Sequence, residues 1–311
     1  MQDTDEHSFS LISEPGIETI YTPTDQGTDE YEFVFDDSRS DCFQQDDGSS
    51  CCTSLTPSIF DYEHSYGRRF HAYLGGRYPL PNDEGEQSRE LVEHLLMEQL
   101  MCKSMPPNAS MFVEDCEDPY WANGHSFDLV HFRGMAGFLL DLDAMVANAH
   151  EHIKCGGWIE FQDFDYTVRC DDGTMQKDDP LRVFFETCAQ GIRKYGCTNF
   201  GRKDVRKSMI SAGFLQAQVV TKKVPISCWP KDEGLKDLGT LMEANILDLI
   251  GSMSIKPLIA LGMSDEEREV MVTRACKSLR NGKAHRYMNC RFVHAQKDGN
   301  GDSIEGSDSD G

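Results

Sequence analysis

The side chains best suited to chemistry sit at two strand ends. The run Phe127-Asp128-Leu129-Val130-His131-Phe132 reads as a β-strand and delivers His131 and Arg133 at its end. In an open α/β sheet, ligands bind in the crevice outside the carboxyl ends of the strands. A histidine there is an acid/base candidate, because its ordinary pKa lies near neutrality; the competing reading is a satisfied wall residue. Asp163 and Asp165 leave a second strand pattern, 158–164, and either line an acceptor pocket or mark a solvated strand exit. Asp115-Cys116-Glu117-Asp118-Pro119 has the chemistry of an acidic, helix-capping turn. Metal and covalent chemistry find no pattern. His150 and His152 are two apart on a helix and face different ways, the cysteines lack ligand spacing, and there is no G-x-S-x-G elbow or phosphate loop.

The elements that must position these residues alternate along the chain. Helical spacing over 86–104 puts Leu91, Leu95 and the Val92–Leu96–Leu100 set on one apolar face. Strand patterns follow at 109–113 and 127–133, then a helix over 141–153 that stops at Lys154 and Gly156-Gly157. Strand 158–164, helices near 180–194 and 201–212, strand 214–224, helices near 234–249 and 264–280, and strand 285–295 complete the series. Alternating strands and helices predict an α/β domain with a mostly parallel sheet covered on both faces.

Charge divides the chain. Of the formal net charge of -23, residues 1–62 contribute about fifteen acids against the single base Arg39, and 298–311 about five acids with no base. Residues 1–61 and 298–311 therefore read as acidic disordered tails around a domain at 62–297. Tyr31-Glu32-Phe33-Val34-Phe35 is the one apolar island in the first tail. Without a basic surface, nucleic-acid binding is not expected, and no apolar run approaches the roughly 20 residues a membrane span needs. The N-terminus has no signal-peptide pattern, and twelve scattered cysteines without a C-x-x-C pair suit a reducing compartment, cytoplasm or nucleus.

Several segments together resemble a known family. They are Tyr66-Gly67-Arg68-Arg69-Phe70-His71-Ala72-Tyr73 with Tyr78-Pro79-Leu80-Pro81-Asn82-Asp83, then Phe112 with Asp115 to Trp121, and Ser126 to His131. His152-Ile153-Lys154-Cys155-Gly156-Gly157-Trp158-Ile159-Glu160 and Val224-Pro225-Ile226 with Trp229-Pro230-Lys231-Asp232 add to them. These resemble the fungal class I methyltransferases of the secondary-metabolism regulator (Lae) type, over about residues 62–297. The resemblance implies a Rossmann-like sheet and S-adenosylmethionine as cofactor. In that family the helix matching 86–104 leads to a strand and a D-x-G-x-G-x-G loop on which the cofactor sits. Here it leads through Met105-Pro106-Pro107-Asn108 into 109–113, so the implied sheet lacks its first two strands and the glycine-rich loop.

The resemblance places Asp115, with the Cys116 backbone, where the family receives the adenine amino group. It makes Arg133, Asp163 and Asp165 pocket residues around His131 as the catalytic candidate. Tyr66 and Arg68, with His71 and Tyr73, read as an N-terminal lid or as local packing. Glycine matters because only bare backbone lets a cofactor approach closely; neither Gly75-Gly76 nor Gly134-Met135-Ala136-Gly137 replaces the loop. Three functions follow as expectations. One is a methyltransferase-family accessory protein of fungal secondary metabolism, impaired in donor binding. Another is an active enzyme methylating a small aromatic or indole-type metabolite. The third is a nuclear regulator acting through pathway-enzyme or regulatory protein partners.

Overall fold

The computed structural model describes residues 62–72, 77–101, 115–118, 120–121, 124–197, 200 and 204–299. Both tails, the 31–35 island and the 109–113 strand lie outside them, except for Asp298 and Gly299. The chain opens with a hairpin, β1 (Tyr62–Ser65) and β2 (Arg68–His71). Tyr66 and Gly67 join its strands with φ of 53° and 72°, the left-handed pair a two-residue turn needs. Helix α1 (Glu84–Met101) follows. Then come β3 (Phe127–Arg133), α2 (Leu142–His152), β4 (Ile153–Phe164), α3 (Pro180–Arg193) and α4 (Val205–Ser211). The chain continues through β5 (Leu215–Pro225), α5 (Glu233–Met253), α6 (Lys256–Ile259), α7 (Asp265–Arg280) and β6 (Tyr287–Gln296).

The fold is α/β, with a mixed four-stranded sheet in the order β3-β4-β6-β5. Among the described strands of this sheet only β3 and β4 run parallel; β6 enters antiparallel between β4 and β5, so the expectation of a mostly parallel sheet is corrected to a mixed one. Among the described residues β3 is an edge. Alternation in β4 sends Ile159 and Phe161 into a core with Leu142, Met145, Val146 and Ala149 of α2 and Met209 of α4. Phe164 enters the other core, with Phe292, α1, α3, α5 and α7.

Local signals explain most helix starts. Asp141, Asp179 and Asp232 cap α2, α3 and α5 through their side chains, and Ser264 with Glu267 forms a capping box on α7. Two expectations fail. Gly156-Gly157 does not end a helix but lies within β4, where the Lys297 N–H bonds the Gly157 carbonyl and a Cβ on Gly157 would come within 2.9 Å of the Phe127 carbonyl. On α1 the Val92–Leu96–Leu100 set packs into the core as expected, but Leu91 and Leu95 are 52% and 43% exposed, and Glu86, Arg89, Glu93 and Met97 complete the buried stripe.

Gly191 on α3 marks the tightest contact between helices. An added Cβ there would sit 1.9 Å from the Pro257 carbonyl oxygen at the start of α6. Gly191→Ala is expected to lower stability by about 1–3 kcal/mol through overpacking, read as a lower urea midpoint at unchanged slope; an unchanged midpoint would show that α6 simply moves aside.

Candidate active site

A cavity of about 620 Å³ opens beyond the carboxyl end of β3. Its walls come from α1 (Arg89, Glu90, Glu93, His94), the β3 end (Arg133, Gly134, Met135), the segment before α1 (His71, Arg77, Tyr78), the 115–117 turn, and Phe138 and Tyr166. The volume lies within the usual range of small-molecule pockets, about 300–1,000 Å³. Tyr78 and Phe138 meet edge to face with ring centres 5.0 Å apart, giving the cavity an aromatic wall.

Its charges are arranged in pairs. Arg77 bonds Glu117 and lies 3.4 Å from Asp115. Glu117 in turn accepts the backbone N–H groups of Leu140 and Asp141 at 3.0 Å, fastening the turn to the start of α2. Arg89 bonds Glu93 and, at 2.7 Å, Glu86; it also reaches Asn245 of α5 at 3.0 Å, and Glu90 lies 3.8 Å away. Against the pull of burial, Glu93 and Glu86 hold the Arg89 pKa above its ordinary value. Tyr166 donates to Glu93 at 3.1 Å, and burial pushes its phenol well above the usual range.

Arg133 differs from both. Its Nε donates to Gln162 Oε1 at 3.1 Å and its Nη1 meets His94 Nδ1 at 2.5 Å. His94 then presents Nε2 to Glu98 Oε1 at 3.3 Å, which fixes the tautomer with Nδ1 as acceptor. Burial, with Arg69 nearby, lowers the His71 pKa and favours its neutral form.

The fold brings His71, Asp115, Cys116 and Arg133 to this cavity; Tyr73 lies outside the described residues, and the remaining sequence candidates lie elsewhere. His131 shares a sheet face with Arg133 but lies two residues nearer the middle of the strand, where its Nδ1 meets Glu160 Oε2 at 2.9 Å outside the cavity. Asp163 and Asp165 border a separate space of about 80 Å³ that shares Gly134, Phe138 and Tyr166 with the larger one. Asp163 Oδ1 accepts the Ala136 N–H at 3.0 Å, while its Oδ2 is buried with no hydrogen-bond partner among the described residues. Burial first, and the Glu93 charge after it, push its pKa up to about 7. Asp165 is bound by Arg169 at 2.7 Å. Tyr66 lies in the hairpin turn under the Arg268 guanidinium, and Arg68 pairs with Asp83 at 2.5 Å; neither lines the cavity. Arg77, Glu93, His94 and Tyr166 escaped the sequence reading, although Glu86, Arg89 and Glu93 stand at helical spacing on one stripe, a signal for an internal charge cluster.

The described residues fit an S-adenosylmethionine donor poorly. Gly134 is the one glycine among those lining the cavity, and a Cβ there would meet nothing closer than Glu93 at 3.8 Å, so it forms no tight backbone cradle. Gly137 lacks a side chain for another reason, since a Cβ would come within 2.9 Å of the Phe200 ring. Asp115, the adenine position implied by resemblance, is already turned toward Arg77. Among the described residues no group of three or more His, Cys, Asp or Glu could hold a metal ion, and no helix is long and apolar enough to cross a membrane.

Known proteins place the chain more directly than its geometry. No protein-family model matches it. It is 26% identical over 300 residues to methyltransferase pytC of Aspergillus terreus, spanning 81% of this chain and 93% of that one. It is 28% identical over 199 residues to the secondary metabolism regulator LAE1 of Cochliobolus heterostrophus, covering 63% and 65% of the two chains. The laeA regulator of Aspergillus niger is 24% identical over 297 residues, covering 79% of each. Because 300 aligned positions draw on only 81% of this 311-residue chain, a share of the pytC positions has no counterpart here. Among solved structures, YcgJ of Bacillus subtilis superposes with a TM-score of 0.32 at 17% identity, over 68% of this chain and 79% of that one. The chain is a homologue of the fungal secondary-metabolism methyltransferases and of the Lae-type regulators related to them.

Proposed function

We propose that this is a methyltransferase-family protein of fungal secondary metabolism whose donor site is impaired, and that it acts as an accessory protein by binding a small aromatic metabolite in the retained cavity. The observation that carries the reading is the cavity itself: its aromatic and arginine walls are in place, while among the described residues no close-fitting glycine backbone of the kind a sulfonium donor needs lines it. Methyl transfer depends mostly on holding donor and acceptor in line, with effective molarities on the order of 10⁵ M or more at stake. A site that cannot hold the donor forfeits that advantage. The pytC positions without a counterpart in this chain support the same reading.

The test is genetic. In a producing strain, Arg133→Ala at equal protein level is expected to remove product while leaving transcripts of the biosynthetic genes unchanged. Two relatives named as secondary metabolism regulators favour the competing reading, a nuclear regulator working through protein partners. That reading expects Arg133→Ala to be silent, and deletion of the acidic tails to lower transcripts and product together. Normal product from the Arg133→Ala strain would overturn the accessory reading.

A further inference from the structure

The charges of the cavity do not cancel evenly. Each carboxylate lining it, Glu90, Glu93, Asp115 and Glu117, stands within ion-pair distance of Arg77 or Arg89. Among the described residues Arg133 has no carboxylate partner: its two bonds go to the amide oxygen of Gln162 and the ring nitrogen of His94. A guanidinium offers five N–H donors in a planar fork suited to a two-oxygen anion. His94 cannot compete for an anion, because its Nδ1 lone pair faces Arg133 and its N–H faces Glu98. The Phe138 and Tyr78 rings line the same cavity, where an aromatic ligand would contact them.

We infer that Arg133 is an anion-binding site, and that the cavity takes a small aromatic molecule carrying one oxyanion, a carboxylate or a phenolate, with its charge on Arg133 and its ring against Tyr78 and Phe138. This rests on the accessory reading only for the idea that the cavity is in use; the binding chemistry is independent of it. Charge-assisted hydrogen bonds are roughly twice as strong as neutral ones, so an anion should outbind a neutral ligand of the same shape by about tenfold or more.

The probes are 4-hydroxybenzoate for the carboxylate, 4-nitrophenolate for the phenolate and 4-hydroxybenzamide as the neutral counterpart, titrated into the full chain at pH 8. At least one anion is expected to bind about tenfold tighter than the amide, with Arg133→Gln reducing it to the level of the amide. Which anion wins identifies the oxygen source. In wild-type protein the side-chain ¹⁵N–¹H signals of Arg133 are expected to shift with the anion and not with the amide, which serves if the variant fails to fold. Equal affinity for anion and amide, absence of binding by any probe, or an anion preference that survives Arg133→Gln would overturn the inference. Anion preference together with a silent Arg133→Ala strain would leave the inference standing and sink the accessory reading alone.

Discussion

Arg89→Met is expected to remove a large part of the protein's stability, read as a much lower urea midpoint. Arg89 is buried at the centre of an ion-pair cluster with Glu86 and Glu93, and its bond to Asn245 ties α1 to α5. Removing the cation strands two buried carboxylates. Breaking a buried pair by deleting one partner costs about 3–5 kcal/mol, and whole domains are stable by only about 5–15 kcal/mol. Methionine fills similar space, so the loss reports the charges and not a cavity. The check is a triple variant, Arg89→Met with Glu86→Gln and Glu93→Gln, which should recover most of the stability in urea titrations. A single variant as stable as wild type would mean that the carboxylates find water or protons, and that the cluster does not hold α1 in place.

Asp163→Asn is expected to weaken a pH dependence that the wild-type protein shows between about pH 4 and 7, with Glu90, also raised to about 7 by burial, supplying the rest. The folded-state pKa of Asp163 is raised to about 7, above the ordinary carboxylate value of about 3.9. The folded chain therefore holds this proton more tightly than the unfolded chain does. The associated stability is fully present below about pH 4, declines as pH rises, and is gone above about pH 7. Three units correspond to about 4 kcal/mol of differential stability. The cause is geometric: among the described residues Oδ2 is buried without a hydrogen-bond partner, and the Glu93 carboxyl group lies nearby. Asparagine keeps the acceptor for the Ala136 N–H and cannot ionise. Melting curves from pH 4 to 8.5 should show a falling wild-type Tm and a flatter Asp163→Asn profile. Parallel profiles would place the titrating group elsewhere.

How much of this could be read in the sequence differs by element. β3, α2 and α7 were legible because period and caps agree: Leu142, Met145, Val146 and Ala149 fall on one buried face, and Ser264 with Glu267 announces the capping box. The buried stripe of α1 was misread because periodicity treats charges as solvent-facing, whereas Glu86, Arg89 and Glu93 neutralise one another against Asn245, a contact 156 residues away. Gly156-Gly157 looked like a helix stop because its pairing with Lys297 is also long-range. At the site, Asp115 and Arg133 reached the cavity because turn and strand end are local features. His131 shares the alternation of Arg133, but depth along a strand is not encoded in period two. Arg77, His94 and Tyr166 meet only through the packing of α1 over the sheet end, which no spacing in the sequence announces.

The central claim, a retained ligand cavity beside an impaired donor site, is tested most directly by titration calorimetry of S-adenosylmethionine into the full chain. The account predicts binding weaker than about 1 mM, less than roughly 4 kcal/mol of affinity. A dissociation constant in the low micromolar range, about −8 kcal/mol, would contradict it and make the chain a donor-binding methyltransferase.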